Sequence, residues 1–189
     1  MDKKVIIGII VAIVAIALVG FYIISTAEVT LIAEDAQITL PGNYTANGDF
    51  AASAGDVNIS IVEQKGSTDK DFVAQFFKAI SANGKDAGYE NVTNKTINEY
   101  TVYEFAAHPD KLQNVSSDKE ATADGGEMWT TYPPEFAAPF DGGVDHFRTV
   151  YYVNGDKTYT LQITAANATT NLYTPEIDAI INSIASVKK

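Results

Sequence analysis

Cysteine is absent from this 189-residue chain. Disulfides, thiolate nucleophiles, cysteine-based zinc sites and iron–sulfur clusters are excluded together. Basic charge is scarce: 13 Lys and Arg stand against 24 Asp and Glu, and Arg148 is the only arginine. So acidic a surface repels phosphate backbones, so nucleic acid is not an expected partner. There is no Walker loop, no Gly-x-Gly-x-x-Gly and no Gly-x-Ser-x-Gly elbow. No cofactor is expected, and no residue is assigned a catalytic role.

Long apolar runs are missing too, with one exception. Residues 5–24 read VIIGIIVAIVAIALVGFYII, twenty residues without a charge. At about 1.5 Å per residue such a helix spans about 30 Å, the thickness of a hydrocarbon core. Lys3 and Lys4 precede it, whereas Glu28, Glu34 and Asp35 follow. The positive-inside bias puts the N-terminus in the cytoplasm and the rest of the chain outside. The expected organisation is an anchor over residues 1–27 and one extracytoplasmic domain over 28–189. A cleaved signal peptide is the competing reading, since Ser25 and Ala27 offer small residues at a cleavage site. The apolar run is long for a signal core, which favours a retained single-pass anchor. Both readings export the domain.

Six Asn-x-Ser/Thr sequons, at Asn43, Asn58, Asn91, Asn94, Asn114 and Asn167, are more than twelve asparagines give by chance. They mark candidate glycosylation sites on an exported surface. Turn chemistry rich in Thr and Asn is the alternative source of the same pattern.

Past the anchor, short strands are expected at 29–32, 37–40 and 50–54, and a cleanly alternating one at 57–63. The period then changes to a helix. Ser67 to Asp71 start it, with Thr68 and Asp71 in capping-box spacing, and Asn83-Gly84 ends it. Phe72, Val73, Phe76, Phe77 and Ile80 form its apolar stripe. One hairpin is expected from 90–97 and 101–106 around Asn98-Glu99, and a second from 147–153 and 158–164 around Asn154-Gly155. Thr174-Pro175-Glu176 opens a last helix whose stripe, Ile177, Ile180, Ile181, Ile184 and Val187, runs to Lys188-Lys189. Strands arriving in hairpins give an α+β fold: an antiparallel sheet with two packed helices.

Between the hairpins, residues 108–145 form a long connection, and long connections are commonly functional. Trp129, Tyr132, Phe136 and Phe140 lie on its proline-stiffened second half and are the candidate partner contacts. Folding back of these rings onto the sheet is the competing reading. His108 and His146 flank the connection, with Glu127, Asp141 and Asp145 near in sequence. No His-x-His or His-x-x-x-His spacing is present, so a solvated or salt-bridged pair is preferred and no metal ligands are assigned. The stretches 118–127 and 141–145 lack EF-hand spacing and read as solvated acidic loop. Arg148, on a strand, is expected to pair with a surface acid.

Four segments together resemble the PsbP-like superfamily. They are Ile38-Thr-Leu-Pro-Gly-Asn-Tyr44, the helix from Phe72 to Ile80, the hairpin from Tyr151 through Asn154-Gly155 to Leu161, and the closing helix from Tyr173 to Ile184. That superfamily includes a photosystem II extrinsic protein, a Ran-binding import factor and many anchored prokaryotic domains. Asn98-Glu99 departs from the Asn-Gly often found in the first hairpin. The resemblance implies an α/β/α sandwich and a non-enzymatic binding or assembly role, and it carries over no ligand residues. The resulting expectation is a membrane-anchored, surface-displayed, non-catalytic binding or scaffold domain contacting an envelope polymer or another protein. The alternative is an envelope-acting hydrolase or metal-dependent enzyme, which would gather histidines and acids into one pocket.

Overall fold

The protein is described by a computed structural model covering residues 27–64, 70–116, 120–121, 127–128, 130–132 and 144–187. The anchor segment 5–24, Thr68 of the expected capping box, Trp129, Phe136 and Phe140 lie outside these residues. No helix among the described residues is long and apolar enough to cross a membrane.

Among the described residues, fourteen strands and two helices follow in chain order. They are β1 (Val29–Ala33), β2 (Ala36–Leu40), β3 (Thr45–Ala46), β4 (Ala51–Ala54), β5 (Val57–Gln64), α1 (Lys70–Asn83), β6 (Tyr89–Ile97) and β7 (Tyr100–Ala107). Then come a 3-10 turn at Pro109–Lys111, β8 (Val115–Ser116), β9 (Glu120–Ala121), β10 (Glu127–Met128) and β11 (Thr131–Tyr132). The chain closes with β12 (His146–Asn154), β13 (Lys157–Ala165), α2 (Pro175–Asn182) and β14 (Ala185–Ser186). Seven strands form one sheet in the order β3-β4-β5-β13-β12-β7-β6. Every pairing in it is antiparallel. The α+β class read from the hairpins is thus the architecture observed.

The turns explain the register. Ala33 pairs with Ala36, Ala54 with Val57, Ile97 with Tyr100 and Asn154 with Lys157, leaving two-residue loops. In each, the first loop residue has positive φ: Glu34 at 56°, Gly55 at 61°, Asn98 at 52° and Gly155 at 60°. A positive φ at the first central position matches the right-handed twist of the flanking strands. The second hairpin therefore turns on Gly155-Asp156, one residue later than the Asn154-Gly155 expected from sequence.

Alternation gives the sheet two faces. One buries Phe105, Ala107, Phe147, Tyr151 and Tyr89 against Val73, Phe76, Ala79 and Ile80 of α1. The other buries Ile59, Ile61, Val102, Val150, Leu161 and Ile163 against Ile177, Ile180, Ile181 and Ile184, together with Leu31, Ile38 and Leu40 of β1 and β2. Each such aliphatic side chain contributes about 1.5–3 kcal/mol by leaving water.

Three further expectations need correction. The last helix stops at Asn182 rather than running to Lys188-Lys189. Ser183 ends it: its N–H and Oγ both donate to the Ile180 carbonyl, and its Oγ also accepts from the Thr39 N–H. Ala185 and Ser186 then pair with β2, and the Val187 N–H donates to the Asp35 carbonyl. The helical spacing of Ile184 and Val187 misleads, because Ile184 is buried from beyond the helix.

Tyr132, expected as an exposed partner contact, is only 2% exposed. It pairs with Val115 and packs on Phe72 and Phe76 at ring separations of 5.7 and 5.4 Å. At this position the fold-back reading wins: the first part of the connection is a narrow ladder, β8 with β11 and β9 with β10, lying beside α1.

Arg148 does pair with acids, but not at the surface. It is 3% exposed, and its Nε donates to Oε1 of Glu104, itself 4% exposed, at 2.7 Å. Its remaining donors reach the Leu172 carbonyl and Asp178, each at 2.8 Å. The Tyr173 ring lies 4.4 Å from the guanidinium carbon. One side chain thus ties the start of α2 to the middle of the sheet.

Candidate metal centre

The α2 face changes character toward one end. A row across the sheet runs Glu90, Ala106, Arg148, Ile163, Ile59, each directly opposite the next. Opposed residues share a face, so Glu90 and Arg148 point to the same side. One step further, Phe147 pairs with Ala107. Continuing that register sets His146 opposite His108, just past the last pairing of β7. The two imidazoles are stacked there, with centroids 4.4 Å apart and planes 11° from parallel.

Local backbone opens this corner. Gly88 has φ of 87°, and a Cβ on it would come within 2.6 Å of the Lys111 carbonyl oxygen. The 3-10 turn after His108 therefore lies directly against the start of β6, an approach only glycine permits. Two residues on, the ladder between β6 and β7 breaks between Glu90 and Thr93, with Asn91 at φ 51°. Such a bulge bends its strand and re-aims neighbouring side chains. Glu90, exposed, stands at the edge of that bend.

Glu90, His108 and His146 each present a donor atom, and the three atoms lie within 4.8 Å of one another. The histidines are not the solvated pair expected from sequence. His146 is 8% exposed, and neither of its ring nitrogens has a partner in hydrogen-bond geometry, although the Thr170 main chain lies near enough to favour the protonated ring slightly. Burial, and then the charge of His108, hold the His146 imidazole below its ordinary pKa, so at neutral pH it is an uncharged base. His108 is half-buried, and its Nδ1 lies 2.8 Å from the Asp145 carbonyl oxygen. A carbonyl can only accept, so Nδ1 carries a proton, and in the uncharged ring the lone pair falls on Nε2.

Asp145 thus contributes its main chain rather than its carboxylate, while Asp141 and the side chain of Glu127 lie outside the described residues. The acid that joins the histidines is Glu90, which sequence reasoning missed. The available signal was the hairpin register: once β7 and β6 pair, Glu90 falls diagonally beside His108. Beside Glu90 lies an open depression of about 600 Å³, lined by Ile80, Tyr89, Val92, Lys85 and Lys111 among others. All six sequon asparagines are exposed, spread over loops and outer strand positions, and one of them, Asn91, lines the depression.

No protein-family model and no curated protein matches the chain. Among solved structures, the solution structure of cyanobacterial PsbP (CyanoP) from Synechocystis sp. PCC 6803 is similar, with a TM-score of 0.43 and 11% identity. The likeness covers 86% of this chain and 93% of that one. It concerns the fold alone.

Proposed function

We propose that this chain is a membrane-anchored, surface-displayed, non-catalytic binding domain whose partner is an envelope component or another protein. The observation that carries the reading is the uncharged segment 5–24 behind Lys3 and Lys4. Twenty apolar residues are too costly to leave in water, and the flanking charge sets their direction. Exposure of every sequon asparagine agrees with a glycosylated outer surface. Among the described residues neither histidine hydrogen-bonds a serine or threonine hydroxyl, so no nucleophile–base pair is assembled there. Trp129, Phe136 and Phe140 are the residues we assign to partner contact.

Protease added to intact cells is expected to remove the domain, while alkaline carbonate leaves the chain in the membrane pellet. Recovery in the cytosolic fraction, or full protection from protease, overturns the reading. Replacing Trp129, Phe136 and Phe140 together by serine is expected to leave the fold intact and abolish partner crosslinks in cells.

A second reading, a metal-dependent enzyme of the envelope, is favoured by one observation: the grouping of Glu90 with both histidines beside an open depression. Turnover of an envelope polymer that Glu90→Gln abolishes would establish it in place of the first.

A further inference from the structure

We propose that Glu90, His108 and His146 form a binding site for a divalent first-row transition ion, with zinc as the reference case. Two imidazole nitrogens and one carboxylate oxygen are the donors, and at least one coordination position stays open to the depression beside Glu90. The proposal rests on the geometry of the described domain and does not depend on where the domain resides.

Three independent features converge on it. A buried imidazole with both nitrogens unpartnered is uncommon, because burying a polar group without a hydrogen bond is costly. An ion takes up that unused lone pair. The His108 tautomer is fixed by an N–H···O=C bond on the far side of its ring, the arrangement by which metal-binding histidines are oriented. Glu90 is placed at the same corner by a bulge and by a glycine that lets two backbones touch. Donor chemistry selects the ion: paired imidazoles suit zinc, copper or nickel, whereas calcium and magnesium require shells of oxygen.

Loading requires a modest rearrangement. Bonds of about 2.1 Å in a tetrahedron place donors about 3.4 Å apart, closer than the outer limit of 4.8 Å seen here. The exposed Glu90 side chain is free to swing in. An ion must also lie near the plane of each ring that binds it, so two rings 11° from parallel have to unstack. His108, the less buried of the two, turns about its bond to Asp145. Lys85 and Lys111 line the depression and oppose a cation, so the carboxylate of Glu90 is needed to offset them.

The untagged full-length chain in detergent, stripped with chelator, is titrated with zinc chloride by calorimetry at neutral pH. One tight equivalent is expected, separable from weak binding by the acidic stretch 118–127. The chain has only two histidines, so ring-labelled protein reports directly: both ring systems must shift on loading. Glu90→Gln keeps shape and exposure, and His108→Ala alters a half-buried ring, so the buried His146 need not be touched. Each is expected to weaken the tight site by on the order of tenfold or more and to cancel the zinc-dependent rise in melting temperature. Melting of the metal-free variants near wild type separates ligand loss from unfolding. The proposal is overturned by the absence of a tight equivalent, by unmoved histidine resonances, or by unchanged affinity in both variants. A variant that melts early in the metal-free state is replaced by Glu90→Ala or His108→Gln, and the same criteria apply.

Discussion

On the α1 face of the large sheet, Phe76 meets Tyr89, Phe105 and Tyr132 ring to ring at 5.4–5.9 Å. The buried ion pair and the histidines lie elsewhere. The α2 face begins the same way, with isoleucines and leucines, but ends in Arg148, Glu104 and the histidine pair. The first face obtains its stability chiefly from apolar area and ring contacts. On the second, part of the same area is given to buried charges whose desolvation their pairing only offsets. A sheet can thus keep one side as mostly apolar core and reserve a corner of the other for groups that are poor at holding a fold and good at binding something.

The largest effects test that division directly. Arg148→Met leaves Glu104 buried with Lys95, 3.6 Å away, as the remaining paired cation among the described residues. A loss of about 3–5 kcal/mol is expected in urea melts. Adding Glu104→Leu should recover most of it, since an apolar pair replaces an ionic one. On the α1 face, Phe76→Ala should cost about 3–5 kcal/mol with no such rescue by a second substitution.

Smaller in size, but opposite in sign between faces, is the removal of one hydroxyl. The Tyr152 hydroxyl donates to the Ile181 carbonyl at 2.9 Å, near the end of α2 where carbonyls lack helical partners. Tyr152→Phe should therefore cost about 1–2 kcal/mol. The Tyr89 hydroxyl is buried without a partner, so Tyr89→Phe should be neutral or stabilising in the same melts. The Thr174 side chain caps α2 by accepting from the Ile177 N–H, and Thr174→Ala should cost about 1 kcal/mol.

The smallest effect lies at the turn after β1. Lys157, and then the Tyr159 hydroxyl, bond the Asp35 carboxylate and lower its pKa from 3.8. A lowered pKa means stability present above the unfolded value and lost as pH falls through the folded one. The Asp35→Asn variant should melt slightly below wild type at neutral pH and converge with it in acid below pH 3.8. Because Asp35 is 37% exposed, solvent keeps the difference small.

What could be read in advance followed from local rules. Val57 to Glu63 alternates because one side of β5 is buried, and Thr174-Pro175 starts a helix through its own hydroxyl and ring. The remainder depended on distant partners. Ala185 and Ser186 look like a continuing helix until β2 is there to pair with them. Tyr132 looks like a contact residue until α1 covers it. Glu90 is an ordinary surface acid until Gly88 and the bulge bring it beside two histidines, one 18 and the other 56 positions away. Periodicity reports what a residue does with its neighbours in the chain, and chemistry at this corner is assembled across three strands.

The short strand β14 has a protective consequence. It occupies the free side of β2, whose Ala36, Ile38 and Leu40 are fully buried and whose other flank is taken by β1. Clipping the chain after Ser183 would bare a row of unsatisfied amides along an apolar strand, a template onto which a second molecule can add its own. A handful of residues at the chain's end thereby guards against runaway self-association, and truncated preparations should precipitate before they unfold.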